Sequence, residues 1–403
     1  MRISIFLLGI AIVATAIADD APEFRTDDNS DKSLPWFQLF DGEFPPEKSA
    51  HYVSGELIAY DHLERTITLR VDRNDAQGRA LMDYPLDAAM LPYGSVYYNG
   101  APAALRDIPL GTHMHGWFYA RPEAEHFWET RNDKPHSKNG QRASLEVDFT
   151  RCFRLEDDFT FYALKKQHWK IDKVDLAQKK LTATLQKEDG GSVGEAKLFD
   201  LTSSTAVFRG KEFATLDDIT AGQEVQINLT WATLYGPGRI FQIWLDEDSR
   251  TLATANQLER HRNHIRERGL PGFIAAVDDK TKVVTITFFD SVDPALFKDL
   301  TSTNPKPLGW PTSEYAEGNL SPKGNIVVAR ECLMTYDPVN DRKGGNILKI
   351  GEAPLRPGCS GVQIQVQCGM LLEGFRPKKI VRFYPASWPV IGLPKEEGYH
   401  GRE

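Results

Sequence analysis

A chain of 403 residues, 41% of them hydrophobic and 10% aromatic, is too long for one ordinary core and is expected to divide into roughly two to four domains. A mean hydropathy of -0.40 excludes a chain that threads a membrane many times, and the aromatic content excludes wholesale disorder. With 48 Lys and Arg against 56 Asp and Glu the formal charge is -8, so general attraction to nucleic acid or to an anionic membrane is disfavoured.

The chain opens with Met1-Arg2, an apolar run from Ile3 to Ile17, and small residues at Ala16 and Ala18 ahead of Asp19-Asp20. These are the three parts of a secretory signal peptide, predicted over residues 1–18. The run is shorter than the ~20 apolar residues of a spanning helix, so an exported protein with no transmembrane segment after cleavage is expected, in the periplasm or outside the cell. Residues 19–49 read as an acidic leader followed by an ordered lead-in that begins near Leu34-Pro35-Trp36-Phe37.

An internal repeat comes next. Glu56–Asp61 and Thr66–Val71 read as strand, turn, strand, as do Ile171–Asp175 with Lys180–Leu185 and Phe273–Asp278 with Val283–Phe288. In each, β-branched and polar residues alternate on either side of a turn opened by Asp, the pattern of a half-buried hairpin. The first two copies share a second part. Gly100, Leu105, Asp107, Ile108 and Gly111 lead into a strand from His113 to Phe118, and Gly210, Leu216, Asp218, Ile219 and Gly222 lead into one from Glu224 to Leu229. The third copy is expanded between about Thr301 and Arg356, and its closing strand is read at Val362–Val366 after Gly358.

This density of strand and turn signals predicts a mainly β protein of three tandem small antiparallel barrels, OB-like in form, with one interdomain helix. The barrels are placed at 50–120, 165–248 and 270–390, with a connecting segment at 121–164, the helix at 249–269 and a tail at 391–403. Asp248 or Ser249 is expected to cap the helix, Leu252, Ala255, Leu258 and Ile265 to form its apolar stripe, and Gly269 to stop it. The hairpins and the Gly-x-x-x-x-Leu-x-Asp-Ile-x-x-Gly segment at 100–111 resemble small OB-like barrel repeat domains of exported bacterial proteins, a group whose activity is mostly unassigned. The resemblance implies the barrel fold and export, and carries over no functional residue.

Two regions could carry chemistry. His113 and His115 lie two apart on a predicted strand and so share a face, and His126, Glu123 and Glu125 follow in a loop. Two imidazoles and a carboxylate can hold a first-row divalent metal. The positions equivalent to the two histidines in the second copy are Glu224 and Gln226, which are merely polar and favour a decorated, half-exposed strand instead. For contact with a partner the residues are Trp128 and Arg131, in the long connecting segment, and Arg260, Arg262 and Arg266 on the basic helix. The paired acids Asp157-Asp158, Asp217-Asp218 and Asp278-Asp279 read as turn formers.

Four cysteines in an oxidising compartment make a disulfide plausible, with Cys332, Cys359 and Cys368 the candidates and Cys152 left free or paired over a long span. The sequence contains no Gly-x-Ser-x-Gly, P-loop or dinucleotide fingerprint. Two readings of function follow. One is an exported, non-catalytic scaffold without a cofactor, binding a protein, an envelope component or a saccharide. The other is a metal-binding protein or metal-dependent hydrolase centred on His113 and His115. Repetition without repeated site residues favours the first.

Overall fold

The structure, a computed structural model, describes residues 37–72, 85–119, 150–230, 238–301, 325–329 and 342–388. They form three closed barrels in a mainly β chain. Barrel one contains β1 (His51–Asp61), β2 (Thr66–Val71), β3 (Pro85–Tyr98), the short β4 (Ala101–Pro102), β5 (His113–Tyr119) and β6 (Arg151–Asp157). Its circuit runs β1, β2, β3, β6, β5 and back to β1, with only the β3–β6 pair parallel and β4 attached to β3. β6 thus belongs to the barrel, although it lies inside the stretch read from sequence as a connection.

A short helix, α1 (Asp158–Leu164), leads into barrel two: β7 (Gln167–Asp175), β8 (Lys180–Lys187), β9 (Lys197–Asp200), β10 (Ala206–Arg209), β11 (Glu212–Ala214), β12 (Glu224–Thr230) and β13 (Gly238–Trp244). The circuit has the same order, β7, β8, β9, β13, β12, again with one parallel pair, β9–β13, while the β10–β11 hairpin attaches to β13. After the long helix α2 (Glu247–Arg268), barrel three closes six strands: β14 (Leu270–Asp278), β15 (Val283–Phe289), β16 (Asn325–Ala329), β17 (Arg342–Glu352), β18 (Cys359–Cys368) and β19 (Ile380–Tyr384).

The opening hairpin is built in the same way in all three barrels. Asp61, Asp175 and Asp278 each accept a backbone N–H two or three residues on, and the turns end at Arg65, Lys179 and Lys282 with positive φ. Each first strand then bulges at an equivalent point, between Leu57 and Ala59, Ile171 and Lys173, and Ile274 and Ala276, which increases its twist toward closure. At the bulge the backbones of Leu57 and Ile171 bond both ways with Gly111–Thr112 and Gly222–Gln223, the glycines standing at φ 90°. In barrel three Ile274 makes the same pair of bonds with Lys378–Lys379. The closing strand of the third copy is therefore β19. The sequence reading placed it at Val362–Val366, which lies within β18, the partner of β15 and β17; the closing turn there carries Lys378 in the left-handed conformation where the other copies have Gly, so the glycine signal is missing.

Alternating side chains fill each barrel: Leu57, Ile67, Leu69, Met114, Phe118 and Leu155 in the first, Ile171, Leu181, Val225, Ile227 and Ile243 in the second, and Leu270, Ile286, Phe288, Val366 and Phe383 in the third. A further cluster lies outside the barrels. Tyr52, Tyr93, Trp117, Tyr119 and Phe153 on the outer face of barrel one pack with Phe161 of α1 and with Phe273 and Phe289 of barrel three. Their rings meet mostly edge-on, as at Phe273–Phe289, with centroids 4.9 Å apart.

The docked face of α2 differs from the expected one. Asp246 is the cap, its side chain accepting the Ser249 N–H, because the extended residue stands two positions ahead of the expected Asp248. Gly269 ends the helix as read. Of the expected stripe only Ile265 is buried; the buried face is Ser249, Gln257, His261, Ile265 and Arg268. The reason is that α2 packs on backbone edges that need polar partners. Thr254 Oγ1 donates to the Asn99 carbonyl, Gln257 Nε2 donates to the Pro102 carbonyl and to Asp107, and His261 Nε2 accepts the Asp293 N–H.

Cys152, Cys359 and Cys368 are buried free thiols. Cys359 and Cys368 stand at opposite ends of β18, about 30 Å apart at ordinary strand rise, so they cannot bond to each other. Cys332 lies outside the described residues. No helix among the described residues is long and apolar enough to cross a membrane.

Burial pushes the His261 imidazole down to about 4. An unfolded histidine takes up its proton near 6.5, so acidification favours the unfolded chain, and the contribution of His261 is present above about pH 6.5 and lost as pH falls toward 4. Between pH 7 and pH 5 this amounts to an expected loss on the order of 2 kcal/mol. The thermal midpoint of His261→Gln, which keeps an acceptor for the Asp293 N–H, should fall less over that interval than that of the parent chain; parallel curves would show that His261 is not the group responsible.

Candidate metal centre

β5 aligns His113 and His115 on the face turned away from the core of barrel one, and that face is covered. His113 is 5% exposed, His115 3% and Asp158 0%. The half-exposed strand expected from sequence is thus corrected: α1 and barrel two pack over it, and the His115 ring stacks on Phe161 at 3.6 Å with the planes 2° apart. Neither element is visible in the two-residue spacing of the histidines.

Asp158 joins the two rings. Its Oδ1 lies 2.8 Å from His113 Nδ1 and 3.0 Å from His115 Nε2, while Oδ2 accepts the Leu229 N–H of barrel two at 2.9 Å. The other nitrogen of each ring is also engaged. His113 Nε2 lies 2.7 Å from Asp72 Oδ2, which also accepts from Ser54 Oγ, and His115 Nδ1 lies 2.5 Å from the Tyr52 hydroxyl. With carboxylates at both of its nitrogens, His113 donates twice. With a hydroxyl at one nitrogen and Asp158 at the other, His115 is served by a Tyr52 O–H donating to Nδ1 and its own Nε2–H donating to Asp158.

The electrostatics follow this arrangement. Burial alone would push His113 down, but Asp158 and Asp72 outweigh it and hold the ring well above the usual histidine range, as an imidazolium. Burial dominates at His115 and keeps it neutral. Burial would raise Asp158, yet His113 and then His115 hold it well below the ordinary carboxylate range. Glu56, paired with His113 across β1 and β5, is raised by burial; its Oε2 stands 3.4 Å from the Arg70 guanidinium but makes no hydrogen bond. Three carboxylates, Glu56, Asp72 and Asp158, therefore surround one imidazolium.

Asp157-Asp158, read from sequence as turn formers, have other roles. Asp157 caps α1 through the Thr160 N–H and hydroxyl, and its second oxygen accepts from the Asn99 N–H and from Asn228 Nδ2. Burial pushes its carboxyl up to about 6. Asn228 Oδ1 in turn accepts the Phe159 N–H, so Asn228 of barrel two holds the residues on both sides of Asp158.

Asp158, Asp72 and Tyr52 were not found by sequence reasoning. Asp158 lies 43 positions from His115, and no spacing rule connects them. Its neighbour was accessible: Asp157, standing three residues ahead of Thr160 at the start of Phe159-Thr160-Phe161, is an N-cap pattern. Glu123, Glu125, His126, Trp128 and Arg131 lie outside the described residues. On α2, Arg260 is exposed, Arg266 half-buried, and Arg262 Nε bonds Asp293 at 2.5 Å. His113 Nδ1 or Nε2, His115 and Asp158 each offer one ligand atom in a group within 4.8 Å of one another, and these three residues can hold a metal ion.

No protein-family model and no curated protein matches this chain. Among solved structures, a tryptophan-to-alanine variant of CusF with Cu(II), from Escherichia coli, is 15% identical over 20% of this chain and 90% of that one, with a TM-score of 0.15. CusF with Ag(I) is 16% identical over 20% of this chain and 95% of that one, also with a TM-score of 0.15. At this level the likeness says nothing about what this chain binds.

Replacing Asp158 by Ala leaves the His113 charge buried without its main partner and the Leu229 N–H without an acceptor. The expected loss is about 3–5 kcal/mol in urea unfolding. It should be smaller when His113→Ala is already present, because the coupled charge is gone; an unaltered loss would mean that the two residues do not interact.

Proposed function

We propose that this protein is an exported, non-catalytic binding protein that holds a divalent cation, Zn(II) or Cu(II), between its first two barrels through His113, His115 and Asp158. The observation that carries this reading is the convergence of two imidazole nitrogens and one carboxylate oxygen, each on a group whose other polar atom is anchored by Asp72, Tyr52 or the Leu229 N–H. Such outer partners orient metal-ligating histidines and fix their tautomers. The donor set suits a borderline cation, and the three surrounding carboxylates favour positive charge. A cation would replace the protons now shared between Asp158 and the two rings, so it would compete with them and bind more tightly as pH rises.

Burial argues against the hydrolase alternative. A catalytic metal keeps a position open for water and substrate, and groups exposed by 5% or less offer no approach for a substrate. The centre would instead join barrels one and two. A second reading rests on the completeness of the hydrogen bonding: with every nitrogen of the two rings already partnered, the cluster also suffices as a pin without metal in a cofactor-free scaffold for a protein, an envelope component or a saccharide.

One experiment separates the readings. Mature chain of residues 19–403, stripped with chelator, incubated with Zn(II) or Cu(II) and desalted, is expected to retain about one equivalent by elemental analysis. The His113→Ala/His115→Ala variant should retain none. No retained metal, or equal retention in the folded variant, would leave only the scaffold.

A further inference from the structure

Away from the metal centre, a cavity of about 80 Å³ lies where barrel one, α2 and barrel three meet. The turn between β1 and β2 and the 3₁₀ turn Leu105–Asp107 line it from barrel one, and Ser291 and Arg382 line it from barrel three. The volume is several times what a water molecule needs and well below that of a drug-sized site, so it suits a small ligand or the end of a larger one. The lining is basic. Three arginines and three histidines contribute to it, and no Asp or Glu is among the described residues that do. The two carboxylates that reach His261 are engaged elsewhere: Asp293 accepts from Arg262 Nε and the Ala295 N–H, and Asp107 from the Ala104 N–H and Gln257 Nε2.

His264 registers the field that results. Burial pushes its imidazole well below the usual histidine range, and Arg106, Arg268, Arg382 and His261 push it the same way. The ring is therefore neutral, and its tautomer is fixed. Arg106 Nη2 stands 2.8 Å from His264 Nδ1, and because a guanidinium can only donate, Nδ1 accepts and the ring proton sits on Nε2. That Nε2–H is engaged by no described residue, on a ring that is only half-buried. Arg106 is exposed and Arg65 half-buried, so an occupant can reach both side chains. A guanidinium with five N–H donors can hold more than one acceptor at once.

We propose that this cavity binds a tetrahedral oxyanion of the phosphate class, free or as the terminal group of a phosphate ester, held by His264 Nε2–H and by the guanidinium groups of Arg106 and Arg65. The planar fork of an arginine matches the spacing of phosphate oxygens, which a single point charge does not. Arg382, 7% exposed, adds positive charge from the buried side without having to be touched. The site involves none of the metal-centre residues, and the two proposals stand or fall separately.

The test uses chelator-stripped chain of residues 19–403 titrated with inorganic phosphate, and separately with phenyl phosphate, at constant ionic strength set by chloride, and followed by calorimetry or phosphorus NMR. Saturable binding of one equivalent is expected. Arg106→Gln should weaken it at least about tenfold, the size of one lost hydrogen bond to a charged group. Ala104→Trp, which fills the cavity and removes no charge, should abolish it. Arg260→Gln, an exposed position on α2 outside the cavity, should bind as the parent does. Phenyl phosphate separates the two sources: affinity equal to or above that of inorganic phosphate marks the end of a larger ester, and exclusion of the ester alone marks the free anion. No saturable binding of either compound, unchanged affinity in Arg106→Gln, retained binding in a folded Ala104→Trp variant, or an equal loss in Arg260→Gln would overturn the proposal. His113→Ala/His115→Ala should bind phosphate as the parent does.

Discussion

The arrangement of barrels one and two depends on a single dipeptide, Asp157-Asp158, at the exit of β6. One carboxylate closes the end of barrel one onto α1 and reaches Asn228, while the other takes both histidines of β5 and the Leu229 backbone. Two adjacent carboxylates are a poor choice for a dry junction unless each oxygen is matched, and here each one is. Buried charge of this kind adds little to stability compared with a well-packed apolar contact, but it penalises every misaligned arrangement heavily. The pin therefore sets where barrel two sits on barrel one more than how tightly it is held.

Barrel three is attached by different means. Its outer aromatics, Phe273 and Phe289, enter the cluster of Tyr93, Phe153 and Phe44, and α2 joins barrels one and three through polar contacts with their backbone. Aromatic packing supplies area and tolerates small shifts, whereas hydrogen bonds to fixed carbonyls do not. One long helix with a polar buried face thus fixes the angle that the greasy contact leaves free.

Much of the architecture was legible in the sequence, because a strand that is half buried must alternate and a tight turn must carry Asp or Gly. The three hairpins announce themselves through Asp61, Asp175 and Asp278, and the mainly β, three-barrel fold follows from them. Local signals failed where one residue type stood in for another. Lys378 occupies the turn that Gly111 and Gly222 occupy elsewhere, and the closing strand of the third copy was misplaced for that reason. The buried face of α2 was missed because apolar periodicity cannot report a docking surface made of Gln257, His261 and Ser249.

By itself the sequence determined that His113 and His115 share one face of a strand, since a strand has a period of two and nothing else is needed. Only the tertiary structure decided that this face is buried and that Asp158 and Asp72 meet it, because α1, barrel two and the end of β2 arrive from positions tens of residues away. Charge state was decided there as well. The same imidazole is an imidazolium between two carboxylates at His113 and neutral against Phe161 and Tyr52 at His115, and that difference resides in the surroundings rather than in the residue.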